Sequence, residues 1–366
     1  MTIPEKMSGV YLTGHGGVEK LEYRDDIPTP SPGVGEVLIQ VGAAGVNNTD
    51  INTRTAWYSK QVTGQTNEGG ERGFDTASDD DGSWSGVALQ FPIIQGADCC
   101  GSIVAVGEGV DSSRIGERVL VRTMQSIADG EDQFACLTLG SECNGGFAQY
   151  MVAASHHSLA VDCDWTDIEL ASIPCAYSTA EGMLDRAGVA QETVLITGAS
   201  GGVGSAAVQL SKRRGASVIA MSGAAKAKDV KALGADKVLD RDCDLVEVLG
   251  CESVDVVVDL VAGDNWPPLL EVLKRGGRYV TAGAIAGPIV ELDVRTLYLK
   301  DLTFYGSTYQ KDEIFENLIR YIEKNDIRPV VAKSYPLSDI VQAQKDFLSK
   351  QHTGKLVLVP PSSGWQ

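Results

Sequence analysis

A glycine-rich turn between a strand-like and a helix-like segment is the sharpest chemical signal in the 366-residue sequence. The apolar residues 194–196 lead into Gly198-Ala199-Ser200-Gly201-Gly202-Val203-Gly204, and helical periodicity follows. Backbone N–H groups at a helix N-terminus bind a pyrophosphate, whose approach side chains would block. The turn therefore predicts a dinucleotide site at Ala199, Ser200, Gly201, Gly202, Val203 and Gly204; the alternative is a tight turn without a ligand.

The end of the next strand-like segment indicates which dinucleotide binds. NAD sites carry an Asp or Glu there, which accepts hydrogen bonds from the adenosine ribose. Here Ser222 and Lys226 offer a hydroxyl and an ammonium to a 2′-phosphate, with Arg213 and Lys228 as further candidates. We therefore expect NADP(H) as the cofactor, the alternative being that Lys226 is only a solvated helix residue.

These motifs lie where strand-like and helix-like segments alternate, from about residue 168 onward. The apolar runs lie at 194–197, 217–221, 255–260 and 278–281, and the helical patterns at 203–214, 225–233 and 266–275. Alternation of this kind with nearly continuous apolar strands is typical of a parallel sheet covered on both faces. It predicts a doubly wound α/β domain.

The first 155 residues have a different rhythm. Short apolar runs closed by glycine lie at 36–42, 101–107, 117–122 and 146–152, which is typical of a compact barrel-like or sandwich-like β domain. Residues 61–90 have little periodicity and contain three consecutive Asp residues at 79–81, so we expect a long surface loop. A solvated insertion is the plainer interpretation, and a lid over a substrate cleft is the functional one.

Composition limits the partners and the compartment. The sequence has 31 Lys and Arg against 49 Asp and Glu, and its net charge of −18 disfavours nucleic acid and anionic membranes as partners. We find neither a run of membrane-span length nor a signal-peptide pattern. The eight Cys show no Cys-x-x-Cys spacing. We expect a cytoplasmic protein with free thiols.

The order of segments, together with two further motifs, resembles the medium-chain dehydrogenase/reductase superfamily over essentially the whole chain. The motifs are Gly42-Ala-Ala-Gly-Val-Asn47-Asn-Thr-Asp50 and Pro174-Cys-Ala-Tyr-Ser-Thr179-Ala. The resemblance implies a GroES-like β-rich catalytic domain, residues 1–155 and 310–366. It also implies a Rossmann NADP-binding domain, residues 156–309, with the active site in the cleft between the two.

Zinc alcohol dehydrogenases of this superfamily carry a catalytic Cys where this chain has Asn47, and a His-Glu pair where it has Ala97 and Asp98. Only Cys175 matches a ligand position, and a catalytic zinc needs three protein ligands. The resemblance therefore implies the zinc-free quinone oxidoreductase branch, which reduces quinones or activated C=C bonds with NADPH. The alternatives are a zinc-type alcohol dehydrogenase and an NADPH-binding protein with little catalysis.

The resemblance also implies individual roles. It assigns Asn47 and Lys355 to the cofactor, Thr179 to its nicotinamide side, and Gly283, Ala284 and Ile285 to the carboxamide. It implies that residues 302–307 form an edge strand that pairs across a homodimer, with a homotetramer equally compatible. An exposed charge at Lys355, an ordinary helix hydroxyl at Thr179 and an internal strand at 302–307 are the plainer alternatives.

Catalysis without a metal requires hydrogen-bond donors for the oxyanion that forms on a small-molecule substrate such as a quinone or an enone. Asn47 and Tyr58 are the candidates, because an amide and a phenol both donate without being ionised. A ring that packs at the domain edge is the alternative interpretation of Tyr58.

Overall fold

The computed structural model describes residues 3–127 and 134–361, and strands dominate the first 160 residues. The short apolar runs form these strands, as their β-branched composition and glycine punctuation predict. The elements are β1 (Lys6–Leu12), β2 (Leu21–Pro28), β3 (Glu36–Gly45), α1 (Asn48–Thr55), β4 (Ile93–Ile94), β5 (Cys100–Val106), β6 (Arg118–Val121), β7 (Met124–Ser126), β8 (Cys136–Thr138), β9 (Tyr150–Ala154) and β10 (Ser158–Ala160).

Helices and strands alternate through the rest of the chain. They are α2 (Asp167–Leu170), α3 (Pro174–Arg186), β11 (Thr193–Ile196), α4 (Gly202–Arg213), β12 (Ser217–Ser222), α5 (Ala227–Ala232), β13 (Lys237–Asp240), α6 (Leu245–Leu249), β14 (Val254–Asp259), α7 (Pro267–Val272), β15 (Leu273–Thr281), α8 (Val294–Leu299), β16 (Thr303–Gly306), α9 (Asp312–Glu323), β17 (Val331–Pro336), α10 (Ile340–Ser349) and β18 (Lys355–Val359). Within the described ranges, none of the helices has the length and apolar character needed to span a lipid bilayer.

Two main sheets organise these strands. The parallel-sheet unit has the strand order β13-β12-β11-β14-β15-β16. The β-rich unit has the order β10-β6-β5-β3-β18-β17, with β9 also paired to β3. This architecture confirms the expected fold class, a GroES-like unit with a Rossmann-type parallel sheet. The division of the chain near residues 155 and 310 stays a prediction.

The parallel sheet is buried on both faces, which explains its unbroken apolar strands. In β11, Val194 and Ile196 pack in one cluster with residues of α3 and α4, whereas Leu195 packs in a second cluster with residues of α7. All three side chains are fully buried. Successive side chains of a strand point to opposite faces, so a strand covered on both sides leaves no position facing water.

The helix predicted for residues 266–275 is wrong at its end. Helix α7 stops at Val272, and Leu273 already pairs with Val254 of β14. Gly276 has a φ of +73°, which helical backbone does not adopt. Pairing and burial in the sheet therefore override the helical periodicity of the isolated segment.

Residues 61–90, all of them described, contain no helix or strand, as expected for a loop, and 16 of the 30 are exposed while the others are buried or half-buried. Val62 is 3% exposed, Thr66 is 1% exposed and Ser83 is fully buried. The backbone N–H of Ser78 donates to Ser59 Oγ at 3.0 Å. The buried positions and this hydrogen bond fix parts of the segment to the protein, while the exposed positions between them face solvent. The insertion is therefore a surface loop that is anchored at intervals.

A buried arginine ties this insertion to the β-rich unit. Arg54 is fully buried on α1, and its Nη2 donates to the Gly70 carbonyl at 2.8 Å. Its Nη1 donates to the Gly16 carbonyl and its Nε to Gln344 Oε1, both at 2.8 Å. One guanidinium thus connects the N-terminal segment, the insertion and α10, since its donors form a fixed planar fork.

Replacement of Arg54 by Met should destabilise the protein strongly. The three acceptors would lose their donor, and each buried unpaired polar group costs ~1–3 kcal/mol. We expect the free energy of unfolding to fall by roughly 3 kcal/mol or more, measured as a shift of the urea unfolding midpoint. Arg24→Met is the matched control, because Arg24 pairs with Asp26 on the surface. Equal shifts in the two variants would contradict the anchoring role.

Candidate active site

The glycine-rich turn joins β11 to the N-terminus of α4, as the sequence predicts. Gly198 has a φ of +59°, a left-handed conformation that favours glycine. A Cβ at Gly202 would lie 2.7 Å from Cδ of Lys355, and a Cβ at Gly204 would overlap the Gly198 carbonyl. The turn, which also contains Ala199, Ser200, Gly201 and Val203, thus has the close-packed form that backbone binding of a pyrophosphate requires. Their cofactor role stays a prediction.

At the predicted adenosine end, Ser222 closes β12 and Lys226 lies one turn further on. Lys226 Nζ donates to the carbonyl oxygens of Lys350 at 2.9 Å and His352 at 3.5 Å. Burial lowers the pKa of Lys226, and it lowers the pKa of Lys350 to about 8. The Lys226 ammonium is thus held by the backbone of Lys350, whose own ammonium lies 4.0 Å from the ring centre of Phe347. The sequence gives no signal for this contact, because 124 residues separate Lys226 from Lys350.

Arg213, a further candidate for the 2′-phosphate, is engaged elsewhere. Its Nε lies 3.1 Å from Asp326 Oδ2, and its guanidinium lies 3.4 Å from the ring centre of Tyr321. It is the last residue of α4, at the opposite end of that helix from the glycine-rich turn. Because ligands bind at the carboxyl ends of the strands, its suggested contact with the phosphate is wrong.

A buried carboxylate fixes the loops at the carboxyl ends of β11, β14 and β15. Asp259 accepts hydrogen bonds from Thr197 Oγ1 at 2.6 Å and Tyr279 Oη at 2.7 Å. It also accepts from the N–H of Val261 at 3.0 Å, and the Val261 carbonyl accepts from Ala286 N–H at 2.9 Å. The loop of Gly283, Ala284 and Ile285 is therefore held in place at the sheet edge where nucleotides bind. The sequence reasoning missed Asp259, which stands in an apolar run.

Thr179 of α3 lies near the same end of the sheet. Gln310 Nε2 approaches Thr179 Oγ1 at 3.5 Å, and Gln310 is itself 6% exposed. The Thr179 hydroxyl also forms a hydrogen bond with the thiol of Cys175, one turn earlier in α3. Its predicted position on the nicotinamide side stays a prediction.

Four polar or charged side chains are buried together beside the turn: Asp98, Asp50, Lys355 and Asn47. Lys355 Nζ donates to Asp98 Oδ2 at 3.0 Å and to Asn47 Oδ1. Asp98 Oδ1 also accepts from the backbone N–H of Cys175 at 2.6 Å. A buried carboxylate and a buried ammonium are tolerated only when they are paired and hydrogen-bonded in this manner.

The amide of Asn47 uses both of its N–H groups within this cluster. Nδ2 donates to Asp98 Oδ2 at 2.8 Å and to the Gly45 carbonyl at 3.3 Å, while Oδ1 accepts from Lys355. The reverse orientation would set the amide oxygen against a carboxylate and the NH₂ group against an ammonium, so electrostatics fixes the present one. This geometry argues against the predicted role of Asn47 as donor to a substrate oxyanion.

The chain turns back on α1 directly after the helix and brings Tyr58 against its first turn. Helix α1 ends at Thr55, and the next residue, Ala56, has a φ of +55°. Tyr58 Oη donates to Thr49 Oγ1 at 3.0 Å. Burial raises the pKa of Tyr58 to about 12, so the phenol keeps its proton at neutral pH. The sequence did not indicate the contact between Thr49 and Tyr58, because residues nine positions apart are neighbours neither on one helix face nor across a strand pair that the sequence predicts.

The donor set beside Lys355 does not suit a divalent metal. Burial raises the pKa of Cys175 to about 12, whereas zinc binds the thiolate form of cysteine. The ammonium of Lys355 already contacts Asn47 and Asp98. Within residues 3–127 and 134–361, no group of three or more His, Cys, Asp and Glu side chains could hold a metal ion. Independence from zinc stays a prediction.

Two family models match the chain. One describes the alcohol dehydrogenase GroES-like domain and matches residues 33–162. The other describes a zinc-binding dehydrogenase and matches residues 202–324. The second match covers β12 to β16 of the parallel sheet and does not reach Asn47 or Asp98, so it does not by itself supply ligands at those positions.

Proteins similar along their whole length carry different names. The quinone oxidoreductase of Lama guanicoe is 28% identical over 96% of this chain and 97% of its own. The structure of an alcohol dehydrogenase candidate from Sinorhizobium meliloti 1021 is 46% identical, with a TM-score of 0.87 and 98% of each chain covered. The 2-octenoyl-CoA carboxylase reductase CinF, solved with NADP and 2-octenoyl-CoA, is 26% identical, with a TM-score of 0.81, and covers 99% of this chain and 90% of its own.

Asp50 should make the stability of the protein fall with rising pH. Burial raises the pKa of Asp50 to about 7. The hydrogen bond that its carboxylate accepts from the Asn47 N–H at 2.7 Å lowers the pKa, but by less than burial raises it. The folded state therefore binds the proton more tightly than the unfolded state. The resulting stabilisation is complete below about pH 4 and is lost as the pH rises to about 7.

Asp50→Asn is the variant that checks this prediction, because an amide does not titrate. We expect urea unfolding midpoints of wild type to decrease relative to those of Asp50→Asn between roughly pH 4.5 and pH 7.5. Parallel pH profiles for the two proteins would show that Asp50 is ionised throughout.

Proposed function

Because the chain belongs to the medium-chain dehydrogenase/reductase superfamily of oxidoreductases, we propose that it is an NADPH-dependent enzyme that reduces a quinone or an activated C=C bond without zinc. The observation that carries the proposal is the ammonium of Lys355 between Asn47 and Asp98. At positions that resemble those of zinc ligands, this chain holds its own cation, and a metal ion would have to displace it.

The choice of NADPH rests on the end of β12. Ser222 and Lys226 offer a hydroxyl and an ammonium to a 2′-phosphate, and β12 closes without a carboxylate. We assign the pyrophosphate to residues 199–204, and the nicotinamide to Thr179 and the loop of Gly283, Ala284 and Ile285. Lys355 packs its stem against Gly202, so it borders the cofactor while its ammonium lies in the buried cluster.

The chemistry is the addition of a hydride and a proton across a polarised double bond. When bound, NADPH supplies the hydride, which brings two electrons and leaves negative charge on the oxygen conjugated with the attacked carbon. In our proposal substrate binding redirects the single proton of Tyr58. Tyr58 Oη donates it to that oxygen, and Thr49 Oγ1–H donates to the phenol oxygen across the 3.0 Å contact that the two hydroxyls already make. Asn47 acts as a positioning residue that fixes Lys355 and Asp98. Solvent supplies the proton that completes the reduction, and Tyr58 keeps its own, because burial raises its pKa to about 12.

Two alternatives come from the same superfamily or the same cofactor. The similarity to an alcohol dehydrogenase candidate at 46% identity favours reduction of a carbonyl group as the second candidate, and a metal-dependent version of it would require zinc. An NADPH-binding protein with little catalysis is the third.

We further propose that the protein is cytoplasmic and forms a homodimer or homotetramer. The assembly would use the edge strand β16 and the exposed side chains of Val294 and Tyr298.

Cofactor titration with metal analysis should separate these functions. We expect NADPH to bind at least about tenfold more tightly than NADH, because the 2′-phosphate gains charge-assisted hydrogen bonds. Turnover of a panel of quinones and enones should persist after exhaustive dialysis against a chelator. Lys226→Met should remove the preference for NADPH. Stoichiometric zinc together with loss of turnover on chelation would contradict the proposal.

Tyr58→Phe should lower kcat without a comparable change in NADPH affinity. The loss of one oxyanion donor costs ~3 kcal/mol, or about 100-fold in rate, where the site excludes water. Single-turnover measurements of NADPH oxidation would report the hydride step directly. Tyr23→Phe is the control, because Tyr23 lies on the surface strand β2 and is 39% exposed. An unchanged hydride-transfer rate in Tyr58→Phe would remove Tyr58 from the mechanism.

A further inference from the structure

Residues 63–66 of the insertion reach the loop that we assign to the nicotinamide carboxamide. The backbone N–H of Thr66 donates to the Ile285 carbonyl at 3.2 Å. A Cβ added at Gly287 would lie 3.7 Å from the Thr63 carbonyl oxygen, so the gap between the two segments at that point is no wider than one methyl group. The insertion therefore crosses from the β-rich unit to the parallel-sheet unit.

The same residues are held beside the candidate donor to the substrate. Trp57 Nε1 donates to the Gly64 carbonyl at 3.0 Å. The rings of Trp57 and Tyr58 are arranged edge to face, with their centres 5.9 Å apart. Residues 63–66 thus touch the immediate neighbour of Tyr58 on one side and Ile285 on the other.

The rest of the insertion is fixed away from the cleft. Arg54 holds the Gly70 carbonyl, and Ser85 Oγ donates to Glu142 Oε1 at 2.8 Å. Asp81 Oδ2 accepts from the backbone N–H of Lys60 at 3.0 Å. With the chain anchored before and after them, residues 63–66 are a bridge of fixed length rather than a free lid.

We propose that residues 63–66 form a specificity-determining strap, which closes the substrate end of the cleft and limits the bulk of the substrate. The proposal rests on the proposed function, because it takes Tyr58 and the loop at Ile285 as the two sides of the reacting site. Compact enones and quinones are accommodated beneath the strap. Substrates with a second aryl ring collide with it, since a packed segment anchored at both ends cannot move aside without breaking its hydrogen bonds.

Hydrogen–deuterium exchange of the full chain tests the link between the strap and the cofactor. A bound cofactor orders the loop that contains Ile285. It should therefore also stabilise the hydrogen bond that the Ile285 carbonyl accepts from the Thr66 N–H. We expect saturating NADP⁺ to slow exchange in a peptide covering residues 62–68 by about fivefold or more. A peptide covering residues 84–87, anchored at Glu142, is the internal control. Protection of residues 283–287 without protection of residues 62–68 would overturn the strap.

Substrate size tests the specificity of the strap. We compare 2-cyclohexenone with trans-chalcone, an enone that carries two aryl rings, in Trp57→Phe and in Trp84→Phe. Trp57→Phe removes the donor to Gly64 and should raise kcat/KM for chalcone relative to cyclohexenone by about fivefold or more. Trp84 lies in the same insertion, but its backbone N–H donates to Ser141 Oγ at 3.4 Å, in another part of the protein. Trp84→Phe should therefore leave the ratio unchanged.

A second variant covers the case in which Trp57→Phe folds poorly. Thr66→Pro removes the N–H that reaches Ile285 and should shift the substrate ratio in the same direction. It should also abolish the cofactor-dependent protection of residues 62–65. An unchanged ratio in both variants would overturn the size limit.

Failure of the reaction assignment would look different from failure of the strap. If neither quinones nor enones turn over, the proposed function falls. The exchange experiment needs only NADP⁺ and no substrate. Protection of residues 62–68 would then still support the strap, and its absence would overturn it.

Discussion

The packing of Lys355 against both units is the constraint on which the candidate site depends. Its stem lies against Gly202, where the glycine-rich turn enters α4, and its ammonium joins Asn47 and Asp98. A side chain at Gly202 would collide with that stem. The cofactor turn and the buried charge cluster therefore share one lysine, and neither can shift without disturbing the other.

The alternating strands and helices around residues 194–281 and the shape of the glycine-rich turn were predictable from the sequence, because both depend on local patterns. Residues 194–204 combine an apolar run with glycines that the backbone requires, and the observed turn has the left-handed Gly198 and the crowded Gly204. The unbroken apolar strands predicted a sheet covered on both faces. The helix predicted for residues 266–275 was wrong at Leu273. This residue pairs with Val254, 19 residues earlier, and the pairing overrides the local helical pattern.

The fine geometry of the site could not be predicted, since it depends on contacts between distant parts of the chain. Asn47 was a plausible oxyanion donor until Asp98, 51 residues away, and the Gly45 carbonyl were found to accept its two protons. The polar composition of the insertion indicated a surface loop but not where that loop is anchored. Its anchors, such as the hydrogen bond from Ser85 to Glu142, join distant parts of the chain, which no periodicity reveals.

The position of β18 beside β3 imposes an order on biosynthesis. Lys355 and Asn47 are separated by 308 residues, which a ribosome adds in about 15 to 60 seconds at roughly 5–20 residues per second. The parallel sheet, whose strands all lie between Thr193 and Gly306, can assemble on the nascent chain during that interval. The end of β3 meanwhile exposes unpaired backbone groups that favour aggregation. Ala44 and Gly45 therefore gain their partner strand only after β18 has been synthesised.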